Sequence, residues 1–262
     1  MGTPREQLAQ ILRKARQEAG YESHIALARK MNVSRTVITK AENASQPIPS
    51  DAVLAAWSGL TGIGLDQIEE LAKRCRSGTP QWFMPYLTAE QAATLLRCWG
   101  IPVIPGLAQT EAYMREILSV YPHTPERLTE LVLSRLERQK VLDRTRAVMA
   151  IDVSVLSRCL GSPQVMADQM AHLVALAKRP NVSMHVVPEG ANTGVWAPLE
   201  IASNGSDTTV CLTTGLDDVT STAAAQIDNA VQAFERIIGD AMPLRESLDC
   251  LCGFEAKWKD QI

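Results

Sequence analysis

Hydrophobic residues in the first 75 positions recur at the three- and four-residue spacing of short amphipathic helices. Four of them define a first helix, Leu8, Ile11, Leu12 and Ala15. Gly20 ends that helix, and Ser23 and Ser34 stand as N-caps before a second and a third helix. Asn32 lies between these two and tolerates the left-handed backbone of a tight turn. Two more helices follow, after Ser50 and after Gly64.

Beyond residue 81 the pattern alternates between helical periods and short apolar runs. Helices are predicted over 110–120, 125–142, 162–178 and 222–241, and strands over 147–153, 182–187, 199–202 and 209–212. Residues 89–99 fit either a helix or a strand. The polar, Pro-ended stretch Arg76–Pro80 indicates a linker. We therefore predict an all-α domain over 1–75, a linker over 76–81 and a larger α+β, or α/β, domain over 82–262.

The second and third helices have the composition of a helix-turn-helix. Ala28 is small enough for the two helices to cross closely, and Val33 and Ile38 hold the third helix against the second. The outer face of the third helix then carries four polar side chains, Arg35, Thr36, Thr39 and Lys40. Such a face suits the major groove of double-stranded DNA, where Arg can donate twice to guanine. The alternative is a solvated pair of amphipathic helices.

Two further residues at helix starts extend this predicted DNA surface. Ser34 and His24 can bond phosphate through backbone and side chain. Charge supports the assignment: residues 1–76 sum to +3 in a chain whose net charge is −3, so the remainder carries −6. A basic N-terminal domain (the head) beside an acidic C-terminal domain (the body) is expected if only the N-terminal domain binds a polyanion. We expect a homodimer, because one such head contacts little DNA.

The composition argues against several other classes. No apolar run approaches the ~20 residues that span a bilayer, and the first residues are charged rather than signal-like, so a cytoplasmic protein without membrane contact is expected. The six cysteines form no CxxC pair, and we predict no metal, no cofactor and no disulfide. No familiar catalytic motif is present, so we predict no enzyme. Cys159 or Cys211 would be a nucleophile only beside a histidine.

The segment Ser34–Glu42, with the sequence SRTVITKAE, resembles the recognition helix of XRE/Cro/C1 helix-turn-helix regulators. The resemblance runs from about Gln7 to Cys75. Asn32 replaces the usual turn glycine, and His24 replaces the usual glutamine that opens the second helix. The resemblance to this family implies a DNA-binding transcription regulator of XRE type.

The body is similar to the C-terminal domain of a large actinomycete group of XRE regulators. Its most specific segment is residues 104–110, with the sequence IPGLAQT. This resemblance implies an antitoxin-like protein that binds a small partner protein, or a small-molecule effector. Members of the group often carry acidic residues where this chain has Val153 and Thr213.

Aromatic side chains in the body are candidates for that partner or effector surface. They are Trp82, Tyr86, Trp99 and Trp196. Concentrated aromatics line pockets or anchor interfaces. The alternative for the first three is the seam between the two domains. An enzyme that keeps a vestigial DNA-binding head is the remaining alternative for the whole chain.

Overall fold

The computed structural model describes residues 4–44, 48–77, 81–205, 207–213 and 218–262. The chain divides into two compact units, residues 1–81 and residues 82–262, called the head and the body below. The last head helix extends through Ser77, two residues into the stretch predicted as linker. Residues 78–80 of that predicted linker lie outside the described ranges.

The head contains the five predicted helices, α1 Pro4–Glu18, α2 His24–Met31, α3 Arg35–Glu42, α4 Asp51–Thr61 and α5 Leu65–Ser77. The Ser23 hydroxyl caps α2 by accepting from the Ala26 amide at 3.2 Å. Ser34 precedes α3 with extended backbone, but its side chain makes no capping hydrogen bond. Leu12, Trp57 and other apolar side chains from these helices form one buried core. That core positions α3 on the head surface.

The body is built on a six-stranded sheet in the order β3-β2-β1-β4-β5-β6. The strands are β1 Leu95–Gly100, β2 Arg146–Asp152, β3 Val182–Val187, β4 Leu199–Asn204, β5 Asp207–Leu212 and β6 Val219–Ser221. β1, β2 and β3 are parallel, whereas β4, β5 and β6 pair antiparallel. This mixed sheet with its helices confirms the α+β prediction.

Helices cover both faces of the sheet. They are α6 Met84–Ala92, α7 Glu111–Ser119, α8 Pro125–Gln139, α9 Val153–Ser157, α10 Pro163–Ala177, α11 Ala224–Gly239 and α12 Leu244–Lys259, with 3-10 helices at Gln81–Phe83, Gly106–Ala108 and Lys140–Asp143. Cys98 and Met149 belong to the core on one face with α10 and α12, and Trp99 and Ala150 to the core on the other face with α11. Alternation along each strand separates the two cores.

Two expectations for the body need correction. Residues 89–99 are not one element, because α6 ends at Ala92 and β1 begins at Leu95. The helix α11 is not the last one, since α12 follows it and packs against α10 and β3. Within the described ranges, no helix is both long enough and apolar enough to cross a membrane.

The outer edge of β3 is joined to the α11–α12 connection and to the first turn of α12. The Val186 amide donates to the Ser247 hydroxyl at 3.0 Å, and the Met242 amide donates to the Val186 carbonyl at 2.8 Å. The Ser247 hydroxyl in turn donates to the Met242 carbonyl at 3.0 Å. Both backbone groups of Val186 on this edge are therefore satisfied within the body.

Candidate nucleic-acid interface

The outer face of α3 presents the predicted DNA-contacting side chains to solvent. Ser34, Arg35, Thr36 and Lys40 are exposed, and Thr39 is half-buried. None of the described residues forms an ion pair or a side-chain hydrogen bond with Arg35 or Lys40. Both cationic groups therefore remain free to donate to a DNA phosphate or to the acceptor atoms of a guanine edge.

The turn between α2 and α3 has the left-handed residue that the sequence predicts. Asn32 adopts φ 53° and ψ 44°, and the Val33 amide donates to the Ala28 carbonyl at 3.0 Å. This bond closes α2 in the manner of a Schellman motif, and asparagine is the common non-glycine choice for such a position. Ala28 and Ile38 are both buried, as close crossing of the two helices demands.

A partly buried network, hereafter the head network, holds α3 from below. It consists of Arg16, Glu42, His24 and Thr39. The Arg16 Nε and Nη2 groups donate to the two Glu42 carboxylate oxygens at 2.6 and 2.9 Å. The Arg16 side chain is 5% exposed and that of Glu42 is 0% exposed. The hydrogen bonds to Glu42 raise the pKa of Arg16 above its ordinary value, against the opposing effect of burial.

His24 connects this ion pair to the recognition helix. Its Nε2 lies 3.1 Å from a Glu42 carboxylate oxygen, and its Nδ1 lies 3.2 Å from the Thr39 hydroxyl. Both ring nitrogens thus have partners inside the head, which corrects the expectation that this ring is available for phosphate. Sequence reasoning missed Arg16 and Glu42, although Glu42 falls on the buried face of α3 and so signals a buried polar contact.

The body contains a second buried ion cluster, here the body charge cluster, formed by Glu90, Arg138 and Glu200. Arg138 donates to Glu90 at 2.6 and 2.7 Å and to Glu200 at 3.1 Å. The Phe83 ring lies 5.0 Å from the guanidinium carbon. The two carboxylates raise the pKa of Arg138 well above its ordinary value, outweighing desolvation, which acts in the opposite direction. The cluster joins α6, α8 and β4.

Two cysteine thiols flank Glu200 on the same face of the sheet. Cys98 on β1 and Cys211 on β5 each stand opposite Glu200 in the strand register. Burial raises the pKa of Cys98 well above its ordinary value and that of Cys211 to about 12. Neither is therefore an activated nucleophile. Two strand spacings separate them by about 9.5 Å, too far for a disulfide.

Two protein-family models match parts of this chain. A helix-turn-helix model matches residues 12–68, and a domain of unknown function, DUF5753, matches residues 83–252. The chain belongs to the DUF5753 family. Neither a curated protein nor a solved structure matches it. The helix-turn-helix match confirms the resemblance to XRE-type regulators and supports a DNA-binding regulator of that type.

The IPGLAQT segment of this DUF5753 chain is held by two glutamines, the buried Gln169 and the half-buried Gln139. Gln169 donates to the Ala108 carbonyl at 2.7 Å and accepts from the Thr110 amide at 2.7 Å. Gln139 donates to two carbonyls of the same segment at 3.0 and 2.7 Å. These side chains satisfy backbone groups of a buried loop, which otherwise have no secondary-structure partner. The most specific sequence block of the body thus has a structural role.

The four aromatic candidates of the DUF5753 domain lie in different environments. Tyr86 and Trp99 are 0% and 1% exposed and belong to the cores on opposite faces of the sheet. They are core residues, which corrects their assignment to a ligand or partner surface. Trp82 is half-buried with its ring edge-on to Phe83. Trp196, in the loop between β3 and β4, is 73% exposed.

Val153 and Thr213 follow the carboxyl ends of β2 and β5, which lie at the same end of the DUF5753 sheet. These strands are three positions apart in the sheet, which separates the two residues by about 14 Å. An acidic pair at these positions would therefore not share one ion. Across the described ranges, no group of three or more His, Cys, Asp or Glu side chains is placed to hold a metal ion.

Proposed function

We propose that this chain is a sequence-specific transcription regulator that places α3 in the major groove of double-stranded DNA. The observation that carries the proposal is a basic, solvent-facing α3 whose buried side is anchored by the head network. Such anchoring fixes the position of the α3 backbone before DNA is bound, so less ordering entropy is lost on binding.

Each exposed side chain of α3 has a distinct expected role. Arg35, in the first turn, can donate twice to guanine O6 and N7, the commonest specific contact in the major groove. Thr36 and Thr39 face base edges, and Lys40, one turn after Thr36, suits phosphate. We infer that Arg35 contributes sequence preference and that Lys40 contributes mainly sequence-independent affinity.

A homodimer accounts best for specific binding by so small a head. Two recognition helices then read half-sites about 34 Å apart, one turn of the duplex. The operator is expected to be an inverted repeat with that spacing. Binding is expected to weaken steeply with salt, because each phosphate contact releases counterions.

Selection from random DNA with the purified full-length protein tests the proposal. We expect one enriched motif with two-fold symmetry. In titrations of that motif, Arg35→Ala is expected to lose about 1–3 kcal/mol and to relax the preference at one base pair, whereas Lys40→Ala weakens all sequences alike. Arg236→Ala, which removes an exposed charge from α11, is the matched control. Unchanged affinity and preference for Arg35→Ala would contradict the assignment.

The body is proposed to bind a small partner protein or an effector, and no catalytic activity is assigned to it. The exposed Trp196 supports the partner, since an aromatic side chain on a loop is a common interface anchor. The family resemblance implies that a small partner protein is encoded beside this chain, and coexpression with that candidate, followed by gel filtration, is the test. Trp196→Ser is expected to abolish co-elution. Tyr121→Ser, at another exposed aromatic, is expected to preserve it, and equal behaviour of the two variants would count against this surface.

A further inference from the structure

The hydrogen-bond polarity of the head network can be assigned from its ion pair. Arg16 donates to both carboxylate oxygens of Glu42, so this carboxylate is the charged, acceptor-only partner. The contact of 3.1 Å between Glu42 and His24 Nε2 is then a hydrogen bond only if Nε2 carries the hydrogen. Glu42 thereby selects the Nε2–H tautomer of the neutral ring.

The polarity of the next contact follows from that tautomer. In a neutral imidazole with hydrogen on Nε2, the Nδ1 atom has only a lone pair and can only accept. The Thr39 hydroxyl lies 3.2 Å from Nδ1 and must be the donor. A threonine hydroxyl has one hydrogen and two lone pairs, so this bond consumes its single donor. The Thr39 oxygen is left as an acceptor on the outer side of α3.

We propose that the head network makes Thr39 an obligate hydrogen-bond acceptor and that α3 thereby selects a base with an amino group in the major groove. This inference rests on the proposed function. Adenine offers N6–H and cytosine offers N4–H, whereas guanine N7 and O6 and thymine O4 only accept. At the base pair facing Thr39, adenine or cytosine is therefore preferred on the contacted strand. Thymine or guanine at that position places an acceptor of the base opposite the Thr39 oxygen, which is also an acceptor, so no hydrogen bond can form.

Thr36 provides a matched comparison within the same helix. Its side chain is exposed, and the head network contains no contact to it. Its hydroxyl can rotate and either donate or accept, so it carries no comparable bias. The same residue type therefore has two different recognition properties on one face, and the contact to His24 makes the difference.

The test uses the motif selected by the wild-type protein, with binding measured by fluorescence anisotropy at pH 8.5, above the range in which histidine usually gains its proton. Each base pair is changed in turn. We expect one position where adenine or cytosine binds about 2- to 12-fold tighter than guanine or thymine, the range of one neutral hydrogen bond. Thr39→Val should remove that preference, and Thr36→Val should leave it intact.

Base analogues isolate the amino group itself. At the position found, 2-aminopurine replaces adenine, or pyrimidin-2-one replaces cytosine, which removes the amino group from the major groove. Wild type should lose about 2- to 12-fold in affinity and Thr39→Val should lose nothing further. Equal losses in the two proteins would overturn the proposal, because the amino group would then contact something other than Thr39.

His24 acts as a positioning residue in this scheme, and two substitutions separate polarity from structure. In His24→Gln, the amide can donate to Glu42 and accept from Thr39 with the same polarity, so the preference should be kept. In His24→Phe, the Thr39 hydroxyl is free to rotate, so the preference should fall toward unity. If both variants keep the preference, or both lose it, His24 does not set the polarity.

Nitrogen chemical shifts of ¹⁵N-labelled protein give a readout independent of DNA. At pH 8.5 we expect the His24 ring to show a protonated Nε2 and an unprotonated Nδ1, and either the opposite tautomer or a hydrogen on both nitrogens would overturn the inference. The two levels of the proposal fail differently. If wild type enriches no motif, DNA recognition itself is refuted. If a motif is enriched but Thr39→Val matches wild type at every position, recognition stands and the role of Thr39 is refuted.

Discussion

Replacing Arg16 with methionine removes the principal partner of a fully buried carboxylate. The other partners of Glu42 are His24, at 3.1 Å, and Arg13, at 3.7 Å, and both stay available in Arg16→Met. Removing one member of a buried pair costs about 3–5 kcal/mol, and a half-exposed arginine returns less than about 1 kcal/mol. We therefore expect the head to lose about 2–4 kcal/mol of unfolding free energy.

Hydrogen exchange followed by mass spectrometry measures this loss in the full-length protein. Amides of α1 and α3 that exchange through head unfolding should exchange about 30- to 700-fold faster in Arg16→Met, since each 1.4 kcal/mol is tenfold. The double variant Arg16→Met/Glu42→Leu removes both charges and should return to within about 1 kcal/mol of wild type.

Two outcomes would refute the reasoning about this pair. One is a single variant whose head amides exchange less than about fivefold faster than wild type, since that corresponds to under 1 kcal/mol. The other is a double variant as destabilised as the single one, because the loss would then come from packing and not from an unpaired charge. Body peptides serve as the internal control and should be unchanged.

Three further predictions concern the body. Arg138→Met leaves Glu90, 1% exposed, without its partner and should lower the unfolding free energy by about 3–5 kcal/mol in urea titrations, whereas an effect below about 1 kcal/mol would show that the cluster is effectively solvated. Iodoacetamide at pH 8 should label the exposed Cys159 in the native protein but not the buried Cys211. The pKa of Cys211, raised to about 12 by burial, keeps this side chain a thiol at that pH. Labelling mapped to both cysteines would contradict the burial of Cys211. Trp196→Ser should change the melting temperature by no more than about 2–4 °C, the equivalent of 1 kcal/mol in a chain of this size.

The head could be predicted almost completely from the sequence, because its signals are local. Helical spacing of apolar residues, the Ser23 cap and the left-handed Asn32 each act within a few residues of their position. The ion pair beneath α3 joins residues 26 apart in the chain, and no local pattern reports such a contact. His24 illustrates the consequence: its place at a helix start suggested phosphate, whereas tertiary structure gives both its nitrogens internal partners.

The body was predicted less well, since its organisation depends on long-range pairing. The strands β2, β3, β4 and β5 were recognisable as apolar runs, but their order and direction were not. Trp99 shows the difficulty: it shares a sequence neighbourhood with Tyr86, yet a strand places it in the core on the opposite face. The helix α12 was missed because only three of its residues, Ser247, Leu251 and Trp258, are buried, and the first of these is polar, so its apolar period is weak.

The bonds between Val186 and the α11–α12 connection limit how two copies of this protein can associate. At Val186 the outward amide and carbonyl are already engaged, so this position of the β3 edge offers no free donor or acceptor to a strand from a neighbouring molecule. The opposite margin of the sheet ends in β6, which spans three residues, Val219–Ser221. The homodimer proposed above is therefore expected to join through helical surfaces or loops. A continuous twelve-stranded sheet across the two-fold axis is not expected.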